Sequence, residues 1–314
     1  MRYADSLGFL GFPGQPISVQ EGLKLDLVNL TSAPPWRESM GEVLADHEAF
    51  KAQIAAEPRL QLVRDVVSLD DALASGKTAV VLGLQNAPRG SDFDQFAAAG
   101  VRFVSLAYHG LNSVGGGWAY PEAELDPYEG LQAFEEAADA KMTIDLSHLG
   151  HRTARDILKL QRQFSVAASH GGCFGAYHHI RNLPDDVLRG IAERGGYVGI
   201  ATLTFLLDER DDSMEPFVRH VRHALDICGT EAVGLGTDGY YVHVDGATAR
   251  ERFASLKAKL DANGLQGARY PEHPYMFQGP DRMVRIERAL DRLPADIREK
   301  VLGLNFLAFL RRSL

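Results

Sequence analysis

The sequence predicts an α/β chain folded as one (β/α)8 TIM barrel spanning residues 1–314. Three observations point there. Eight short apolar runs alternate with longer amphipathic stretches, the pattern of parallel strands joined by helices. Several runs, such as Thr78–Leu84 (TAVVLGL) and the stretch 232–236 (AVGLG), are almost wholly apolar, as strands covered on both faces are. No G-x-G-x-x-G follows the first run, and the glycines at 115–117 lie in a loop with no helix start, which weighs against an open nucleotide-binding sheet.

The first strand is expected over Arg2–Gly8 and the second over Leu23–Leu30, followed by a long insertion, Thr31–Pro58, with a helix in it. A helix then opens at Ser68-Leu-Asp-Asp71, with Ser68 as N-cap and an acid three residues later, and leads to the third strand, Thr78–Leu84. The fourth strand is Val101–Ala107 and the fifth Met142–Leu146, separated by a helical period over Tyr128–Ala140. A helix over His151–Gln161 precedes the sixth strand, Ser165–Ala168. Pro184 opens the next helix and Gly195-Gly196 closes it, proline at the start and glycine past the end. The seventh strand is Tyr197–Leu203 and the eighth Ala232–Gly236, with a helix over Met214–Cys228 between them. The region Gly239–Pro280 reads as irregular with a helix near Ala247–Leu260, and Asp281–Leu293 as helical.

Composition narrows the function. Of 314 residues, 45% are hydrophobic and 24% charged, which fits a globular chain and excludes a disordered or fibrous one. Lys and Arg number 33 against 42 Asp and Glu, a net charge of −9. Nucleic acid as the main partner would need a basic face, so none is expected. The two cysteines, Cys173 and Cys228, cannot build a disulfide framework and suggest a reducing compartment. No run approaches the roughly 18 apolar residues of a membrane span. The opening residues show no signal-peptide pattern, and a cytoplasmic location is the expectation.

Barrel enzymes collect their chemistry at the C-terminal ends of the strands. Here those ends read Leu7-Gly8-Phe9, Gln85-Asn86, Tyr108-His109, Ser147-His148, Ser169-His170 and Thr237-Asp238. His148 and His170 end adjacent strands, and with a carboxylate across the bowl they suit Zn²⁺ or a similar ion, leaving a position for water. Asp238 would take or give the proton. The alternative is a hydrogen-bonded histidine pair in a polar cleft. Asp145 reads as support for the site. His178-His179 reads as a solvated loop pair, His151 as a helix-start residue, and His220 with His223 as a solvated helix face. Cys173 lacks the signs of a nucleophile. Asn112, Trp118, Tyr240, Tyr241 and His243 are candidate pocket walls.

Several motifs resemble one family. Ile144-Asp-Leu-Ser-His-Leu-Gly150 is similar to the DLSHV motif of the membrane (renal) dipeptidases, and Ala168-Ser-His170 matches beside it. So do Arg181-Asn-Leu-Pro-Asp-Asp-Val-Leu-Arg189 with the glycine-rich stretch ending at Ile200, Val233-Gly-Leu-Gly-Thr-Asp238, and Leu302-Gly-Leu-Asn-Phe-Leu307. The resemblance runs collinearly from about Thr78 to the C-terminus. It implies an amidohydrolase-like metal-dependent barrel that cleaves an amide or peptide bond, and a homodimer. His148 and His170 match two metal-binding imidazoles, and Arg181 the reader of a substrate carboxylate. Asp238 matches an aspartate near the substrate amine and the catalytic water. Tyr108 stands where many members have a histidine on the scissile carbonyl, with His109 beside it as a substitute; independently of the resemblance, Asn112 in the loop after the fourth strand is expected as a further substrate contact.

The departures from the family form a set. Its first strand ends in H-x-D, both metal ligands; this chain has Leu7-Gly8-Phe9. Gln85 replaces the bridging glutamate and is left as a weak neutral ligand. Two dications about 3.5 Å apart repel by roughly 19 kcal/mol at an effective dielectric of about 20, and an amide cannot offset that as a carboxylate does. A single zinc-type site is therefore expected. Leu84-Gln85-Asn86, Tyr108 and Val114-Gly-Gly-Gly117 resemble a subgroup that also lacks H-x-D. Three readings stay open: a one-metal hydrolase, a metal-free binding barrel, and metal-free acid–base chemistry.

Overall fold

A computed structural model describes residues 3–11, 16–211, 213–243, 245–260 and 277–314. Eight parallel strands form a nearly closed barrel in sequence order: β1 Ala4–Asp5, β2 Leu27–Thr31, β3 Thr78–Leu84, β4 Val101–Val104, β5 Thr143–Asp145, β6 Val166–Gly171, β7 Tyr197–Ile200 and β8 Val233–Leu235. The seam between β8 and β1 is bridged by Ser6, whose amide and hydroxyl donate to the Leu235 carbonyl at 2.9 and 2.8 Å. The same hydroxyl contacts the Ser169 carbonyl. Gly199 and Gly236 let these strands converge, because a Cβ at either would overlap Ser169.

Alternation along the strands separates two cores. Val80 and Leu82 of β3 belong to the large shell packed under the helices. Ala79 and Val81 belong to an interior cluster with Ala4, Leu27, Phe103, Ala167 and Tyr197. The C-terminal helix, Asn305–Ser313, adds Phe306 and Phe309 to that cluster. Their rings stand 6.2 Å from Phe103 and 5.0–5.9 Å from Tyr197, at the start of β7. The opposite, C-terminal ends of the strands are left to the polar residues.

Several expectations shift. The helix start before β3 moves from Ser68 to Asp65: the Asp65 carboxylate accepts from the Ser68 amide at 2.8 Å, and the Ser68 hydroxyl accepts from the Asp65 amide at 3.1 Å. Ser68 is thus the inner partner of a reciprocal cap, and the helix runs Val66–Ala74. β2 begins at Leu27 and not at Leu23; just before it the Asp26 carboxylate accepts from the Tyr3 amide at 2.7 Å. Arg2, expected in the first strand, lies outside the described residues, as does the stretch 261–276. Two short additions had no sequence signal: Leu60–Leu62 pairs beside β3, and Gly8–Phe9 pairs with Gly239–Tyr240 at the barrel mouth. The insertion helix is Met40–Ala56. No helix among the described residues is long and apolar enough to cross a membrane.

Candidate active site

Asp145, the last residue of β5, organises the bowl. Its carboxylate accepts four hydrogen bonds: from the Ser147 amide at 3.0 Å and hydroxyl at 2.6 Å, from the Ser169 amide at 2.9 Å, and from the Ser169 hydroxyl. The Ser147 hydroxyl in turn accepts from the His170 amide at 2.9 Å. One aspartate therefore clamps the ends of β5 and β6 together, and the two Ser-His pairs share one frame.

That frame orders the protons. The Ser169 hydroxyl spends its proton on Asp145, so its oxygen accepts from His170 Nδ1, 2.8 Å away. His170 Nε2 then carries a lone pair, and His148 Nε2 donates to it at 2.8 Å. His148 Nδ1 is buried and has no hydrogen-bond partner. Burial holds both imidazoles well below their usual range, and the Arg181 charge adds to the effect. Two neutral rings result, with Tyr108 stacked on His148 at 4.2 Å between centroids.

Arg181 is buried, and its guanidinium donates to the Ser147 carbonyl. Burial lowers its pKa, while Asp238, Tyr108 and Asp145 favour its charge. Two acids near it in sequence are engaged with other partners: Asp186 with Arg155 at 2.6 Å and Asp185 with His223 at 2.8 Å. Asp238 sits in the left-handed region (φ 51°), turned there by its amide donating to the Leu7 carbonyl at 2.8 Å. Loss of water raises its carboxyl pKa to about 7; Asp5 adds to the rise, and Arg181 and Arg282 oppose it.

Gln85, Tyr108, His148, His179, Arg181 and Asp238 line one cavity of about 500 Å³. His170 stands behind His148, fully buried. Two expected contacts lie elsewhere. Asn112 is exposed and staples its own loop, donating to the Leu106 carbonyl and accepting from the Val114 and Gly115 amides. His109 packs edge-on against Trp118, 4.7 Å between centroids, and it is Trp118 that reaches the cavity. Two histidines expected in solvent are buried. His179 lines the cavity, and burial pushes its pKa down to about 4. His220 accepts from the Cys173 amide at 3.0 Å, with its other nitrogen 3.0 Å from the Leu207 carbonyl. Burial raises the Cys173 thiol far above its ordinary value, which removes it as a nucleophile.

Asp5 and Arg282 are polar residues that the sequence reading passed over. Asp5 accepts from the Thr237 amide and hydroxyl at 2.8 and 2.5 Å and from the Tyr241 hydroxyl at 2.8 Å. Tyr241 is therefore a support under Asp238 and not a pocket wall. Arg282 is fully buried, 5.0 Å from the Tyr241 ring, and its charge bears on both Asp5 and Asp238. An acid two residues before Leu7, placed as Asp145 is placed before Ser147, was the available signal for Asp5.

A protein-family model described as membrane dipeptidase, peptidase family M19, matches residues 20–269. An uncharacterised dipeptidase of Schizosaccharomyces pombe is 30% identical over 187 residues, 54% of this chain and 44% of that protein. Dipeptidase verJ of Clonostachys rogersoniana is 28% identical over 221 residues, 66% of this chain and 55% of that one. The matched stretch thus spans about half the length of these relatives. Among solved structures, an amidohydrolase from Pseudomonas aeruginosa superposes with a TM-score of 0.79 at 22% identity, covering 99% of this chain and 96% of that one. A metallopeptidase from Rhodobacter sphaeroides, liganded with a phosphinate mimic of L-Ala-D-Ala, gives 0.72 at 17% identity, covering 100% and 99%. Identities this low speak for the fold alone.

Proposed function

Because the chain belongs to the membrane dipeptidase family, peptidase family M19, we propose that its bowl hydrolyses an amide or peptide bond in a small carboxylate-bearing substrate, with one metal position instead of two. The observation that carries this reading is the pair of neutral imidazoles, His148 and His170, with Nε2 atoms 2.8 Å apart beside Arg181 and Asp238.

The residues fit one ion and not a pair. Among the described residues, no group of three or more His, Cys, Asp or Glu side chains gathers as a metal cluster. Leu7 is buried and Phe9 lies 5.3 Å from the Tyr240 ring, so the end of β1 offers hydrocarbon. His148 and His170 would hold the ion where they now share one proton, and His148 Nδ1, free of any hydrogen bond, has room for the displaced proton. Gln85, which lines the same cavity, is the expected neutral donor. Zinc suits imidazole, and when bound it supplies carbonyl polarisation and water activation.

The chain's own groups do the rest. Arg181 binds the carboxylate and sets the scissile bond over the imidazoles. Asp238, with its carboxyl near 7, takes a proton from water and returns it to the leaving amine. Tyr108 holds His148 in plane. A cytoplasmic homodimer remains part of this reading.

The test is metal content beside turnover. One zinc-type ion per chain is expected, and His170→Ala loses both metal and activity. Two tightly held metals would overturn the one-ion assignment; turnover within a few-fold of wild type in His170→Ala would overturn the mechanism. One observation favours a second reading, a metal-free binding barrel: the two imidazoles already satisfy one another. Carboxylate binding that persists with no retained metal and no turnover would select it.

A further inference from the structure

The cavity does not stop at the polar floor. It continues along a wall that the insertion builds. On the helix Met40–Ala56, Asp46, Ala49, Phe50 and Gln53 border the cavity, the i, i+3, i+4, i+7 spacing of one helix face. The neighbouring face buries Val43, His47 and Ile54 against the barrel. Gln53 pins the approach by accepting from the Ile17 amide at 2.8 Å. Trp36 borders the same space while half exposed, and Phe205 closes the far side, edge-on to His179 at 5.7 Å. The charges on this arm among the described residues are Arg37 and Asp46, which neutralise one another at 2.5 Å.

We infer that this arm is a specificity pocket: the substrate is an amphipathic acid whose carboxylate meets Arg181 and whose far end carries a bulky aromatic or branched aliphatic group against Trp36, Phe50 and Phe205. This rests on the hydrolytic reading above and names its substrate class. A charged far end laid against Trp36, Phe50 and Phe205 would lose water to hydrocarbon that offers it no ion partner. An apolar one gains by the area it hides.

Calorimetric binding to the full chain, with zinc supplied, tests it through two matched pairs. The first is Phe-Gly against Gly-Gly, with Gly-Phe as the reversed control. The second is 3-phenylpropanoyl-glycine against acetylglycine, which removes the amine from the comparison. At least one pair should favour the phenyl ligand by about tenfold or more, and Gly-Phe should gain little over Gly-Gly. Trp36→Ala and Phe50→Ala should erase most of that advantage while leaving the small ligands unchanged. Phenyl and methyl-sized ligands bound alike, an equal gain for Gly-Phe, or an advantage that survives both substitutions each overturns the inference. So does the absence of binding by all five ligands at millimolar concentration, which removes the hydrolytic reading too. Phenyl-selective binding without cleavage sinks only the reaction, and cleavage of Gly-Gly as readily as Phe-Gly sinks only the pocket.

Discussion

At Asp238 the backbone is left-handed, and the half-buried carboxyl feels the charges of two buried arginines, Arg181 and Arg282, and of a second acid, Asp5. Its pKa of about 7 in the folded chain has a thermodynamic consequence. Below about pH 4 the folded and unfolded chains both hold the proton. Between about 4 and 7 the unfolded chain releases it first, so stability falls as pH rises. Above 7 the full cost is present, at most about 4 kcal/mol and less insofar as the side chain still meets the cavity. Asp238→Asn removes this slope, so its stability relative to wild type should climb from pH 4.5 to pH 8 by roughly 1–4 kcal/mol. Urea denaturation at the two values measures it, and an unchanged difference would mean that Asp238 titrates normally. The depressed imidazoles at 148 and 170 act in the opposite sense, losing stability as pH falls below about 6.5, but they are common to both proteins and cancel in the comparison. The same variant should lose turnover at every pH, while wild-type kcat/KM rises with pH and levels above about 7 as the base ionises. His148, His170, Gln85, Tyr108, Arg181 and Asp238 were legible because five of them close or follow an apolar run, where a barrel exposes side chains. Asn112, His109, His179 and His220 were not. A polar residue on a loop or helix faces its own backbone, the cavity or the core according to packing that no period records.

The elements show where local sequence suffices. Buried parallel strands are continuous apolar runs, so all eight were visible, with most ends displaced by one to four residues. Caps depend on which of several polar residues wins. Asp65 prevails over Ser68 because its carboxylate reaches the Ser68 amide while Ser68 answers to the Asp65 amide, and this adds Val66, Val67 and Ser68 to the helix. Asp65→Ala should cost about 1 kcal/mol and Asp65→Ser a few tenths. If Ser68→Ala cost more than Asp65→Ala in thermal or urea unfolding, the assignment of the cap would be reversed. The insertion helix carries the opposite lesson. Its existence could be read, but its second face, turned to the cavity through Asp46, Ala49, Phe50 and Gln53, alternates charge and hydrocarbon and looks like solvent surface until the barrel mouth is placed beside it.

Across the whole molecule the barrel divides labour between its ends. The polar bowl occupies the C-terminal rim, and the interior cluster runs from Ala79, Val81 and Phe103 to the C-terminal helix, where Phe306 is fully buried against Tyr197. A closed barrel was legible in the eight alternating runs, but the residues that close it were not: Ser6 bridges to Leu235, and glycines at 199 and 236 leave room for the Ser169 carbonyl. The closing helix was visible only through its resemblance to the family's last motif. This separation predicts that stability and binding can be moved independently. Removing the Phe306 ring leaves a cavity in the plug and should cost about 3–5 kcal/mol, read as a lower urea midpoint with an unchanged slope. No Phe306 contact touches the imidazoles, Arg181 or Asp238, so the folded Phe306→Ala protein should bind carboxylate ligands within about twofold of wild type, under 0.5 kcal/mol in affinity. Trp36→Ala should do the reverse, weakening bulky ligands while leaving the urea midpoint almost unmoved, since that ring is half exposed. A Phe306→Ala protein that stayed folded yet lost ligand affinity tenfold would show that the floor and the bowl are mechanically coupled, and the division of the barrel into a stability end and a chemical end would have to be abandoned.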